Sequence, residues 1–332
     1  MFYTPSDNRY SKMKYKRAGN SGLAIPALSL GFWHNFGIED DFDNMRRMCF
    51  TAFDNGIVSF DLANTYGRPL MGSAESNLGR ILREDLAPYR DELLISTKAG
   101  YGMWQGPYGN GGSRKYLLAS LDQSLSRLGL DYVDIFYHHR PDPDTPLEET
   151  MSALADAVRS GKALYVGLSN YDGPGCRRAA KILRDLGCPY VVNQNRYSIL
   201  DRTVEKNGLL CATSDEGLGM VAFSPLAQGL LTDRYLDGIP DDSRVRTGGF
   251  SLKESAITPA AVAKARALAA LAAERGETLA TTALAWVLSR PEVTGVIIGA
   301  SRPAQILDNI AATASAPLTA AELEAIDKIA IG

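Results

Sequence analysis

The sequence predicts an α/β fold, a closed (β/α)8 barrel of the TIM type preceded by an N-terminal hairpin, and three observations carry that prediction. Short β-branched or apolar runs alternate with amphipathic stretches, the pattern of parallel strands joined by crossover helices. The runs number eight, the count that closes such a barrel. Most of them end on a polar residue, at the strand end where the βα loops of a barrel converge.

In chain order, residues 14–27 hold Gly19-Asn20-Ser21-Gly22, a turn that makes a hairpin placed to plug the barrel bottom. The strands then fall at 27–30, 58–61, 93–98, 133–139, 163–169, 190–194, 220–224 and 294–299. Between the third and fourth, Ser113 is placed as a helix N-cap. Leu117, Leu121, Leu125 and Leu128 form one apolar stripe after it, and Gly129 supplies the stop. Thr145-Pro146-Leu147-Glu148 reads as a capping box with Thr145 as the cap. Thr258-Pro259 opens an alanine-rich helix that ends near Gly276, and Pro291 closes the next. Segment 234–255 is long, polar and weakly patterned, and loops of that length usually serve a function or move. No linker divides the chain, so residues 1–332 are expected to form one barrel domain.

Hydrophobic residues at 45% and charged residues at 22% match a globular chain with a large core, which sets disorder aside. A formal charge of −3 gives no general attraction to nucleic acid or anionic membrane. Neither is expected as a partner, and an anionic ligand has to be gripped locally. Cys49, Cys176, Cys188 and Cys211 lack C-x-x-C or histidine spacing, so neither disulfides nor a metal site is expected. The chain shows neither a secretory leader nor a span of roughly 18 apolar residues, which points to the cytoplasm.

The polar strand ends are Asp61, Lys98, His139, Ser169, Gln194 and Ser224. Any one of them has an ordinary structural explanation, but six on one face of a barrel point to an active site. Tyr66, in the loop after Asp61, adds a titratable hydroxyl. An ammonium at Lys98 is expected to lower the tyrosine pKa, with Asp61 keeping the lysine charged. His139 stands ready to hydrogen-bond a substrate oxygen, so the set suits protonation of a developing alkoxide. His138, its strand neighbour, is expected to face away. His34, after the first strand, divides between pocket lining and loop packing. Trp33, Tyr101 and Trp104 crowd the mouth and, with His34, Tyr66 and His139, are the expected substrate contacts. Arg68 and Arg140 are the cations near that mouth.

An anion site falls at the late strands. Gly299-Ala300-Ser301-Arg302 runs into a helix start, combining backbone N–H groups with a guanidinium that suits phosphate. Ser224-Pro225-Leu226-Ala227-Gln228-Gly229-Leu230 is a second small, polar loop, and together the two suit a dinucleotide. Two motifs are set aside: Tyr10 and Lys14 have Y-x-x-x-K spacing but no preceding βαβ unit, and no G-x-G-x-x-G follows any strand.

Asp61-Leu62-Ala63-Asn64-Thr65-Tyr66-Gly67, Ile95-Ser96-Thr97-Lys98 and Ile298-Gly299-Ala300-Ser301-Arg302 resemble the aldo-keto reductases, over about 15–309. The resemblance implies a catalytic tetrad of Asp61, Tyr66, Lys98 and His139, with NADPH/NADP+ as cofactor. It implies that Ser169, Asn170 and Gln194 hold the nicotinamide carboxamide, and that Ser224, Leu226, Gln228 and Gly229 wrap the pyrophosphate. Gly299, Ser301 and Arg302 would take the 2′-phosphate end, Gln305 and Asn309 would approach the adenine, and Trp33 would stand over the nicotinamide. Asp308 stands where relatives often have Glu. Within the family, 31–37, 98–104 and 111–116 resemble a group containing bacterial L-glyceraldehyde 3-phosphate reductases and potassium-channel β-subunits. That group implies small aldehyde substrates, such as glyceraldehyde 3-phosphate and methylglyoxal, and a homo-oligomer, either a tetramer or a pair of tetramers. Two alternatives stay open: a Schiff-base aldolase using Lys98, and a regulatory subunit that senses NADPH.

Overall fold

The computed structural model describes residues 3–331 of the chain, apart from 242, 244 and 247–251. Eight parallel strands close a barrel: β1 (Leu28–Gly31), β2 (Ser59–Asp61), β3 (Leu94–Ala99), β4 (Val133–His138), β5 (Ala163–Ser169), β6 (Tyr190–Arg196), β7 (Gly219–Phe223) and β8 (Val293–Ile298). Each strand pairs with the next in sequence, and β8 closes the ring between β7 and β1. The expected strands are all present, with boundaries moved by one or two residues. His139, Ser224 and Gly299, expected inside strands, are instead the first loop residues beyond them. Ser224 takes a left-handed φ of 53°, which a strand does not accommodate.

The hairpin forms as expected, with arms Tyr15–Arg17 and Ala24–Pro26 and the Ala18 N–H donating to the Leu23 carbonyl at 2.8 Å. Ala18 and Ile25 are buried against Leu94, Ile135, Val191, Val221 and Ile297, so the hairpin stoppers the N-terminal end of the barrel. Inside the barrel, a Cβ at Gly167 would lie 2.3 Å from the Tyr137 ring. The glycine makes room for that ring, and Lys98 Nζ stands 5.8 Å from its centroid.

Outside the barrel, helix Arg114–Leu128 shows how local sequence sets an element. Ser113 caps it by accepting from the Tyr116 N–H, and Gly129 ends it at φ 67°, where any other residue would be strained. Leu117, Leu121, Leu125 and Leu128 are all buried in the main core, where truncating one to alanine costs about 2–5 kcal/mol. Thr258 likewise caps helix Pro259–Glu274. Thr145 does not cap its helix. Its hydroxyl donates to Asp142 at 2.7 Å, and helix Leu147–Arg159 begins with Pro146 at the cap position and no side-chain cap bond. The described part of 234–255 is less polar in effect than its composition suggests: Tyr235 and Leu252 pack with Leu230 in a small apolar cluster. The rest of that segment lies outside the described residues. Among the described residues, no helix is long and apolar enough to cross a membrane.

Candidate active site

The β2 and β3 strands place Asp61 and Lys98 next to each other because both point into the barrel at their C-terminal ends. Lys98 is fully buried, and a buried ammonium is tolerated only when its protons are satisfied. Its Nζ donates to Asp61 Oδ2 at 2.5 Å, to the Leu62 carbonyl at 2.7 Å and to the Tyr66 hydroxyl at 3.4 Å. The second Asp61 oxygen accepts from Ser96 Oγ at 3.1 Å and Gln194 Nε2 at 2.8 Å. On the outer face of β3, buried Glu75 accepts from Thr97 Oγ1 and from Arg127 Nε, fixing the strand one residue before Lys98.

Tyr66, half-buried, lies between two rings, His139 edge-on at 5.9 Å and Trp33 tilted at 6.4 Å, and His34 in turn lies tilted against Trp33 at 4.5 Å. Tyr101 is edge-on to His139 at 4.7 Å. Trp104, partly buried, pairs with Tyr116 at a tilted 5.1 Å. His138 faces out of the barrel as expected, with Nδ1 on the Tyr171 hydroxyl at 2.7 Å.

Burial and the Asp61 carboxylate raise the Tyr66 hydroxyl well above its ordinary value, with a smaller contribution from Tyr101. The net shift is therefore upward, against the expectation that Lys98 would bring the phenol down: burial and Asp61 outweigh the ammonium, which stands 3.4 Å from the hydroxyl and is shared with Asp61 at 2.5 Å. Burial pulls Lys98 below its ordinary value, and Asp61 opposes that shift. Burial, aided by Lys98, His138 and Arg140, holds His139 well below 6.5, so its ring is neutral at neutral pH. The site therefore offers a protonated phenol, a neutral imidazole and a buried ion pair. A Schiff base at Lys98 would need a nitrogen that is fully buried and committed to three acceptors, so the geometry gives the aldolase alternative no support.

The residues expected at the cofactor divide into two sets. Ser169, Asn170 and Gln194 join the catalytic corner. Asn170, at φ 62°, donates its amide to the His139 carbonyl at 2.9 Å and to Ser169 Oγ at 3.1 Å, and its backbone N–H to the Gln194 carbonyl at 3.0 Å. The others form an open rim. Ser224, Ala227 and Gln228 all have positive φ, at 53°, 47° and 58°, and Gly229 turns at 104°. Leu226 accepts the Gly229 N–H at 2.9 Å and the Leu231 N–H at 3.1 Å, closing a tight turn. Across the rim, Gly299, Ser301 and Arg302 are exposed, and a Cβ at Gly299 would meet nothing within 4 Å. Gln305 accepts from the Ser301 N–H at 2.8 Å, while Asn309 is buried one turn further on.

Sequence reasoning missed several supporting residues. Asn35 and Asn44 donate to the Ala300 and Ser301 carbonyls, each at 2.9 Å, tying the loop after β8 to the β1 side. Ser96 was legible in principle: it lies two residues before Lys98, hence on the same strand face, just as Ser59 precedes Asp61. With Ser29, Tyr137 and Gln194 these serines line an internal cavity of about 10 Å³ under the ion pair, at the lower limit for one water. Among the described residues, no group of histidine, cysteine, aspartate and glutamate is arranged to hold a metal.

The model of the aldo/keto reductase family matches residues 27–331. L-glyceraldehyde 3-phosphate reductase of Escherichia coli (strain K12) is 52% identical over 331 residues, 99% of this chain and 95% of that protein. An Oryza sativa subsp. japonica protein named "Probable voltage-gated potassium channel subunit beta" is 37% identical over 96% of this chain and 95% of its own length. A crystal structure of the thermostable aldo-keto reductase Tm1743 with the inhibitor epalrestat superposes with a TM-score of 0.74 and 31% identity, covering 96% of this chain and all of that one.

Proposed function

This chain belongs to the aldo/keto reductase family and is an oxidoreductase, and from that premise we propose that it reduces small aldehydes to alcohols with NADPH, Tyr66 donating the proton. The observation that carries the reading is the placement of Lys98 Nζ, in contact with Asp61, the Leu62 carbonyl and the Tyr66 hydroxyl at the C-terminal mouth of the barrel.

The donor set fits a nicotinamide dinucleotide phosphate. Arg302 and Ser301 offer a guanidinium and a hydroxyl to a phosphate at the exposed start of helix Pro303–Ile310. The 224–229 turn, with three non-glycine residues at positive φ, would take the pyrophosphate, and the Ser169 hydroxyl and Asn170 amide beside the corner would hold the carboxamide. Bound there, the reduced nicotinamide supplies a hydride to the carbonyl carbon.

The chain's own residues handle the proton. A hydroxyl held protonated by burial at Tyr66 hydrogen-bonds the carbonyl oxygen, with neutral His139 on the same oxygen fixing its direction. As negative charge grows on that oxygen, the proton passes from Tyr66. The Lys98 ammonium stabilises the phenolate left behind, and Asp61 holds the ammonium in place. Glyceraldehyde 3-phosphate and methylglyoxal are the substrates this reading favours, on the similarity to the Escherichia coli enzyme and the aromatic wall of Trp33 and Tyr101.

The similarity to the rice protein favours a second reading, a subunit that binds NADPH as a signal. Steady-state turnover of an aldehyde panel, run beside NADPH fluorescence quenching, separates the two. The reductase reading expects saturable oxidation of NADPH by small aldehydes. Tight NADPH binding with no turnover of any aldehyde overturns it in favour of the second.

A further inference from the structure

We propose that Arg140 forms an anion subsite for the far end of the substrate, selecting aldehydes that carry a phosphate a few bonds from the carbonyl. The proposal rests on the reductase reading and deepens it.

Arg140 directly follows His139 at the end of β4, so its backbone starts at the catalytic corner. Its guanidinium lies over the face of Tyr101 at 4.9 Å, and the edge contact between Tyr101 and His139 spans 4.7 Å. One aromatic ring therefore separates the cation from the imidazole. That spacing suits a short phosphorylated aldehyde whose carbonyl oxygen meets His139 and Tyr66 while its phosphate reaches the rim.

The guanidinium is also preset and uncommitted in charge. Nε donates to the Gly100 carbonyl at 3.1 Å and Nη2 to Asn110 Oδ1 at 3.2 Å, both neutral acceptors. The other half-buried arginines behave differently. Arg9, Arg46, Arg90, Arg127, Arg177, Arg202 and Arg275 each meet a carboxylate at between 2.5 and 2.9 Å. Among the described half-buried arginines, only Arg140 and Arg290 lack an ion pair, and Arg290 is stacked on buried Trp286 at 4.1 Å in another part of the fold. A guanidinium fixed by neutral oxygens keeps its full charge for an incoming anion, and its planar fork suits phosphate. Its field reaches the site, since it helps to hold His139 below its ordinary value. The chain as a whole is acidic, so a local cation is what an anionic substrate needs here.

The test compares kcat/KM for glyceraldehyde 3-phosphate and for unphosphorylated glyceraldehyde at saturating NADPH, in the wild type, Arg140→Met and Arg140→Lys. The expected result is that Arg140→Met lowers the ratio of the two values by about tenfold or more, that Arg140→Lys restores part of it, and that competition by inorganic phosphate against the aldehyde weakens in Arg140→Met. Equal losses for both aldehydes, with the ratio unchanged, would make Arg140 only a clamp on the 100–110 loop and overturn the proposal. So would unaltered phosphate competition. A wild type that reduces unphosphorylated glyceraldehyde without favouring the phosphorylated form overturns the subsite alone, whereas a wild type that reduces neither removes the functional reading as well.

Discussion

The two halves of the barrel mouth are built in opposite ways. On the β2–β3 side, Asp61 and Lys98 are buried and paired, and Gln194 reaches Asp61 from β6, so this corner is held in place by its own hydrogen bonds. On the β7–β8 side, Ser301 and Arg302 are exposed, and the Ser224–Gly229 turn holds three non-glycine residues at positive φ. Residues held in that conformation cost of order 1 kcal/mol or more each, a strain that clusters at ligand clamps. Under the reading proposed above, the difference divides the labour: chemistry falls to the buried, preorganised side, and affinity to the open side, where ligand contacts would offset the strain.

The comparison breaks first if Tyr66 is dispensable. Tyr66→Phe removes one hydroxyl from the closed side, and aldehyde reduction is expected to fall by about 10²–10⁴-fold while the NADPH dissociation constant, read by fluorescence, stays within a few-fold. Turnover close to wild type would move the proton donor elsewhere.

The next effect is on stability. Lys98→Met leaves the Asp61 carboxylate buried without its cation, a change that costs about 3–5 kcal/mol. Adding Asp61→Asn removes the stranded charge, so the double variant should resist denaturant better than Lys98→Met alone. If the second change destabilises further, the ion pair does not dominate the corner.

On the open side, Arg302→Ala should weaken NADPH by the worth of a charged hydrogen bond, about 1.5–3 kcal/mol, and leave NADH nearly unaffected. Equal weakening of both cofactors would place Arg302 away from the 2′-phosphate.

The last effect is a pH dependence set by the burial of His138 and His139. Burial lowers His138 to about 4 and holds His139 well below 6.5. Below the ordinary histidine value the unfolded chain takes up protons that the folded chain refuses. Stability is therefore full above about pH 6.5 and falls on acidification, by up to about 1.4 kcal/mol per pH unit per histidine. Urea midpoints between pH 7 and 5 check this, with His138→Gln expected to shallow the slope. An unchanged slope would mean that His138 is not held neutral.

How much of this was legible in the sequence follows the same division. Strand ends reveal themselves because a polar residue closing an apolar run is conspicuous, and Asp61, Lys98 and His139 did so. Ser113 and Thr258 were readable as caps because a cap is local, whereas Thr145 was not, since its hydroxyl is claimed by Asp142 in the same loop. The Tyr66 shift was misread because its sign depends on distances: Lys98 stands nearer Asp61 than the phenol. The strand face of Ser96 is readable from its spacing to Lys98, but its meeting with Gln194 at Asp61, from β3 and β6, is made by barrel closure and announced by no local pattern. The unpaired charge of Arg140 is likewise a fact about what does not surround it.

The central claim is that Tyr66 and Lys98 act as one proton-donating unit, and a double-mutant cycle tests it most directly. Single-turnover reduction of methylglyoxal with bound NADPH would be measured for the wild type, Tyr66→Phe, Lys98→Met and the double variant. If the lysine works only through the tyrosine, the double variant should lose about as much rate as Tyr66→Phe alone. A double variant whose loss equals the product of the two single losses would contradict the account, because the two side chains would then act independently.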